Sequence, residues 1–173
     1  PKSKNNPDTY LGLFWTGLNC FPSGTGQCAE VHSRSSIQNH WFYLLAEGSA
    51  LTDEINDNGD LFSILGIGTT DAMAIAFRNW TVYMMSSSDH NDARLGSIEA
   101  SKDLFGDCAT QVVSTMQAWD AVGVYGDPCF LVCPAITSST CGNADGQISV
   151  TITAGTGPFT YLWSDGQTTS NAT

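Results

Sequence analysis

The chain has 173 residues, 42% hydrophobic and 10% aromatic, which is enough for a packed core and too apolar for a disordered segment. Six Lys and Arg stand against 17 Asp and Glu, giving a net charge of -11. That balance excludes a nucleic-acid phosphate backbone and an anionic membrane surface as partners. No apolar run approaches the ~20 residues of a membrane span. The chain starts at Pro1 without a signal peptide and stops at Ser170-Asn171-Ala172-Thr173 just after a strand-like pattern, so it reads as a piece of a longer protein.

Residues 1–31, rich in Pro, Gly, Asn and Thr, read as irregular loop whose aromatics Tyr10, Phe14, Trp15 and Phe21 pack on a core. Ser35 or Ser36 caps a helix from Ile37 that ends at Gly48. It is apolar nearly all round, which predicts a buried central helix. Leu51 to Gly59 reads as a polar loop, and Leu61 to Gly68 as a short apolar passage. Thr69 or Thr70 then caps a helix from Asp71 to about Met85, with Met73, Ala76, Phe77, Trp80 and Met84 spaced as a core face.

Ser86-Ser87-Ser88-Asp89 breaks that helix. Asn91 to Phe105 forms the next, stopped by Gly106, and Cys108 to Val122 the last, stopped by Gly123. A linker follows Tyr125. Gln147 to Thr153 then alternates with period two as a half-buried strand does, Gly155 to Pro158 turns the chain, and Phe159 to Trp163 alternates again. The expected fold class is a mainly α lobe followed by a truncated all-β module: a helical domain over 1–125, a linker over 126–137 and a partial β-domain over 138–173.

Six cysteines, Cys20, Cys28, Cys108, Cys129, Cys133 and Cys141, suggest disulfides and an oxidising compartment. They allow 15 full pairings. The arrangement we expect joins Cys20 to Cys28, Cys108 to Cys129 and Cys133 to Cys141. Only Cys129-Phe-Leu-Val-Cys133 has the close spacing of a zinc pair. The acidic run from Asp53 to Asp60 nominates Asp53, Asp57 and Asp60 as calcium ligands outside the EF-hand pattern. That pattern fails because Glu54 would stand first and Leu65 twelfth. The plain alternative is a solvated turn. His40 and His90 read as structural or surface residues. Asn79-Trp80-Thr81 and Asn171-Ala172-Thr173 fit the N-glycosylation pattern.

An ordered set of short runs carries a resemblance. It comprises Asn6-Pro7-Asp8-Thr9-Tyr10, Val31-His32, Ile37-Gln38-Asn39, Phe42 to Gly48, Gly66-Ile67-Gly68, Ala76-Phe77-Arg78, Asp92-Ala93-Arg94, Asp103 to Gly106 and Ala118 to Val124. Together they resemble the C-terminal helical lobe of the thermolysin family over residues 1–125. The resemblance implies one half of a two-lobed, secreted zinc endopeptidase acting on peptide or protein substrates. In that family zinc is held by the two histidines of H-E-x-x-H and a later Glu, a system the general rules of metal motifs take as an example. His32, His40 and His90 are the only histidines and none forms that motif, so no zinc ligand is expected here and the cofactor belongs to a missing N-terminal lobe.

His32 matches the family histidine that donates a hydrogen bond to the oxyanion of the tetrahedral intermediate. The family run Asp-Asn-Gly-Gly-Val-His reads Gln27-Cys28-Ala29-Glu30-Val31-His32 here. Gln27 thus stands in place of the Asp that orients the imidazole, with Glu30 as the other candidate. Arg34 replaces the family Asn two residues past the His.

Cys141 to Thr151 and Gly155 to Gly166 resemble the SprB-type repeat of surface adhesins in gliding bacteria, which implies that residues 138–173 are a partial repeat of immunoglobulin-like β fold. This implies export, presentation at the cell surface and further β-repeats as neighbours. A second reading is therefore a non-catalytic peptidase-like lobe in a surface adhesin or filament protein.

Overall fold

The computed structural model describes residues 6–15, 29–49, 54–126, 131–154 and 158–172; the side chains of 29–32, 131, 153 and 154 are left aside. The chain divides into two compact units, Pro1–Gly126 and Asp127–Thr173.

The first unit is helical. Helix α1 spans Ala29–Glu47, α2 Thr69–Arg78, α3 His90–Phe105 and α4 Thr110–Ala121. They pack as a closed ring: α1 touches α2 and α4, and α3 touches the same two. α1 begins earlier than the sequence suggests. Ser36 does not cap it but lies buried inside it, its hydroxyl between the carbonyl oxygens of Pro7 and Ser33. The helix stops where expected, at Gly48, whose φ of 82° suits a residue without a side chain. It is a striped helix and not an apolar cylinder. Ile37, Trp41, Leu44 and Leu45 are buried, while Tyr43 is exposed. The stripe closes on α4 through the stacked rings of Trp41 and Trp119, 4.7 Å apart. Trp119 also donates from Nε1 to Ser97 Oγ on α3 at 2.7 Å, so one side chain ties three helices.

The expected polar loop contains a small hairpin, β1 (Glu54–Ile55) against β2 (Leu61–Phe62). Asn56 builds its turn. Its Oδ1 accepts from the main-chain N–H of Asn58 and Asp60, each at 3.0 Å. Its Nδ2 donates to the Ala121 carbonyl at 3.2 Å, docking the hairpin on the end of α4.

α2 differs most from expectation. Gly68, not Thr69 or Thr70, is its N-cap. The α-helix ends at Arg78 and continues as a π-helical turn, Asn79–Tyr83. The expected core face is turned outward: Met73, Phe77 and Trp80 are 58%, 67% and 74% exposed, while Ala72, Ile75 and Asn79 are buried. Met84 alone of the large residues packs partly against the core. The reason is close helix approach. At the π turn Asn79 and Tyr83 lie against Gly96 of α3, where even an added Cβ would overlap them, so no larger side chain fits between the two. The π turn adds a residue and moves the later side chains off the α-helical period.

α3 is capped by Asp89, whose carboxylate accepts from the N–H of Asn91 and Asp92, while Asp92 accepts from the Asp89 N–H. It ends at Gly106 (φ 88°), and Gly123 (φ 77°) follows α4, both as expected.

The second unit is a three-stranded antiparallel sheet in the order β3 (Leu131–Thr137), β4 (Gln147–Ala154), β5 (Asn171–Ala172). The expected linker 126–137 thus carries a strand. Pro134 lies on it without breaking the sheet because β3 is an edge strand. Phe159 to Trp163, expected to be a strand, is not one. Instead Trp163 anchors a turn, its N–H donating to the Gln167 carbonyl and its Nε1 to the Thr169 carbonyl.

Cys141 is an exposed free thiol, so the expected bond between Cys133 and Cys141 does not form. Cys133 lies within β3, and four further extended residues carry the chain about 13 Å away from it before the turn that holds Cys141. A disulfide needs Cα atoms within about 7 Å. Cys133 and Cys108 are both disulfide-bonded. Cys20, Cys28 and Cys129 lie outside the described residues.

Candidate functional site

The region of interest is the N-terminal end of α1, whose first turn carries Glu30 and His32 in its backbone. Gln27 lies outside the described residues. The next turns of α1 are laced to the loop 6–15. Ser33 Oγ donates to Asn6 Oδ1 at 3.4 Å, Ser36 reaches the Pro7 carbonyl, and His40 Nδ1 lies 2.9 Å from the Asp8 carbonyl oxygen. A carbonyl only accepts, so His40 carries its proton on Nδ1. This is a structural role, in keeping with its sequence reading.

The loop is held from behind as well. The Tyr10 N–H donates to the Val122 carbonyl at 2.7 Å, and the Asp57 N–H donates to Thr9 Oγ1 at 3.3 Å. Asp57 accepts from the Leu13 N–H at 3.0 Å. Leu11 and Phe14 have positive φ of 57° and 65°, a conformation that side chains disfavour. The surrounding bonds hold them there.

Three rings close the far end of this loop. Tyr10 and Trp15 pack edge to face at 4.7 Å, and His90, the first residue of α3, lies 5.4 Å from Tyr10 and 6.0 Å from Trp15. Arg34 on α1 places its guanidinium 4.9 Å from the Trp15 ring centre. Burial holds the His90 imidazole below its ordinary pKa, opposed by hydrogen bonding to the Arg34 backbone and by the Asp89 charge. The sequence reading took His90 for a residue of a junction loop. Nothing local marks this cluster, because His90 lies 56 residues beyond Arg34 and only the fold joins it to Tyr10, Trp15 and Arg34.

Of the acidic candidates, Asp53 lies outside the described residues. Asp57 serves the Leu13 N–H, as above. Asp60 accepts from the Tyr125 hydroxyl and from Asn56 Nδ2 at 3.3 Å. Burial, and then the hydrogen bond to Asp60, push the Tyr125 hydroxyl above its ordinary pKa. Among the described residues no group of three or more His, Cys, Asp or Glu is placed to hold a metal ion. No helix among them is long and apolar enough to cross a membrane. Asn79, in one of the two glycosylation patterns, is buried, while Asn171 is exposed.

Comparison with known proteins matches residues 1–124 to the thermolysin metallopeptidase alpha-helical domain and residues 134–168 to the SprB repeat. Neutral protease B of Bacillus subtilis (strain 168) is 33% identical over 124 residues, covering 72% of this chain and 20% of that protein. The transglutaminase-activating metalloprotease of Streptomyces mobaraensis is 33% identical over 100 residues, 55% of this chain and 13% of that protein. Thermolysin of Bacillus caldolyticus is 30% identical over 125 residues, 72% and 20% respectively. The chain therefore spans about a fifth or less of the relatives it matches. With the helical ring and its laced N-terminal loop in place, the chain belongs to the thermolysin metallopeptidase alpha-helical domain family, followed by an SprB repeat.

Proposed function

We propose that this chain is the substrate-cleft half of a secreted or surface-borne zinc endopeptidase that hydrolyses peptide bonds, and that His32 donates a hydrogen bond to the oxyanion of the tetrahedral intermediate. The zinc is held by residues of a complementary lobe that this chain does not contain. When bound there, it supplies the activated water. The observation that carries the reading is the family match over residues 1–124, a range that includes position 32. A helix start is a suitable platform for such a donor, because a residue on a rigid element arrives at the developing charge already oriented. Gln27 or Glu30 takes the orienting role of the family Asp. The SprB match supports presentation outside the cell and neighbouring β-repeats.

The test uses the intact parent protein. Zinc content and casein hydrolysis are measured with and without a chelator, and again for His32→Ala. We expect about one zinc per chain, chelator-sensitive hydrolysis, and a loss of roughly 10²–10³-fold in kcat for the variant at unchanged zinc content. Hydrolysis that survives His32→Ala intact removes the assigned role. Absence of both zinc and hydrolysis favours the second reading, a non-catalytic lobe in a surface adhesin, to which the SprB repeat lends its own support.

A further inference from the structure

We infer that His90 is a pH-responsive clasp: its neutral ring, boxed by Tyr10, Trp15 and the Arg34 backbone, pins the loop 6–15 and the first turns of α1, and its protonation releases them. The consequence for catalysis rests on the proposed role of His32. The clasp itself rests on geometry. Tyr10 and Trp15 contact the His90 ring at 5.4 and 6.0 Å, and Trp15 carries the Arg34 guanidinium at 4.9 Å. Loop 6–15, α1 and α3 therefore meet at one imidazole.

The surroundings favour the neutral ring. His90 is the first residue of α3, where the unpaired N–H groups concentrate positive potential, so a cation there is opposed. The Arg34 guanidinium from α1 opposes it as well, and the ring is half-buried among the two aromatics. The hydrogen bond to the Arg34 backbone favours the cation, but less than burial disfavours it. The Asp89 carboxylate is committed to the helix end through the N–H of Asn91 and Asp92 at 2.8 and 3.0 Å. It favours the cation at a distance without pairing to it. Tyr10, from the loop, faces His90 with its ring.

Trp15 already serves Arg34, so on that side a second cation on His90 meets a like charge. Relief comes by moving the ring or the loop away. What moves then is the 6–15 loop, with the α1 turns whose main chain passes from His32 to Arg34. Because burial lowers the folded-state pKa, the contact contributes its full stability above about pH 6.5, and the contribution is lost as pH falls through the lower folded value.

The test is hydrogen exchange of the intact protein, followed by mass spectrometry at about pH 7.5 and about pH 5.5 and corrected for intrinsic rates. For wild type, exchange of segments 6–15 and 29–36 should rise at least about threefold at the lower pH. His90→Phe keeps a ring without a proton to gain and should abolish the rise. Arg34→Gln removes the opposing charge and should shrink it. A wild type without the rise overturns the proposal, as does a His90→Phe protein that shows it undiminished. If His90→Phe does not fold, Arg34→Gln decides: an unchanged rise overturns the clasp and a smaller one supports it. Exchange reads the clasp without reference to peptidase activity. A protein that opens with acid but cleaves nothing sinks the His32 reading and leaves the clasp standing.

Discussion

The side chain of Asn79, at the start of the π turn, occupies the space that a side chain on Gly96 of α3 would need. A Cβ on Gly96 would overlap Asn79 Oδ1 and lie 3.3 Å from its Cγ and 2.8 Å from the Tyr83 Cβ. Asn79 is buried, donates from Nδ2 to the Ala93 carbonyl at 2.9 Å, and has no hydrogen-bond partner for Oδ1 among the described residues. The two residues are therefore coupled. Gly96→Ala should cost about 1–3 kcal/mol by overpacking. Adding Asn79→Ala should cost less in that background than in the wild type, with a coupling of about 0.5–3 kcal/mol. Thermal unfolding of the four proteins in the cycle measures it, and simple additivity would contradict the contact.

The two stacked tryptophans should respond differently to the same change. Trp119 Nε1 donates to Ser97, whereas the buried Trp41 Nε1 has no partner among the described residues. Trp119→Phe loses packing and a hydrogen bond, the latter worth about 0.5–1.5 kcal/mol. Trp41→Phe loses packing but also removes an unsatisfied donor. We expect Trp119→Phe to be the more destabilising of the two in denaturant melts, by about 1 kcal/mol.

Arg94 and Asp120 form a lopsided pair, 3.2 Å apart with side chains 5% and 50% exposed. Asp120→Ala leaves a buried guanidinium without its counter-charge. The loss should be about 1–3 kcal/mol, less than for a fully buried pair because solvent screens the Asp120 side. Arg94→Met, which removes the buried charge itself and keeps much of the volume, should be milder. A melt in which Arg94→Met is the worse variant would contradict this account.

Two positive-φ glycines separate strain from crowding. A Cβ on Gly48 (φ 82°) meets the Ile64 carbonyl oxygen at 2.7 Å, whereas one on Gly59 (φ 90°) meets nothing within 4 Å. Gly59→Ala should cost only the left-handed penalty of about 1–2 kcal/mol. Gly48→Ala should cost more, since it also displaces the passage after β2. The difference in midpoint temperature between the two variants checks it.

In the second unit, Asp145 closes the turn before β4, accepting from the Thr140 N–H at 2.7 Å and from its hydroxyl at 2.6 Å. The hydroxyl bond first, then the main-chain bond, hold this carboxyl below its ordinary pKa of 3.8. The turn is thus fully stabilised above about pH 4 and loses that support as pH falls through the lower folded value. Corrected for intrinsic rates, protection of the Thr140 amide should fall only under such acid conditions. In Asp145→Ala that protection should be low at every pH.

The sequence by itself determined the helical nature of the first unit, the glycine stops of α1, α3 and α4, and the family. Gly48, Gly106 and Gly123 mark ends because only a residue without a Cβ takes those angles freely, and that requirement is local. The runs from Asn6-Pro7-Asp8 to Ala118-Trp119-Asp120 carried the resemblance for the same reason, as ordered identities along the chain. The face of α2, the docking of the Asn56 turn, the burial of Ser36 and the strand at Leu131–Thr137 were decided by tertiary structure. Met73, Phe77 and Trp80 have the spacing of a core face. Which face turns inward depends on what the neighbouring helix offers, and α3 presents Gly96 to the π turn with no room for a larger side chain. His90 reads locally as the start of a helix after a serine-rich junction. Only the fold brings it against Tyr10, Trp15 and the Arg34 backbone, because contacts between residues far apart in sequence leave no periodic or local trace in it.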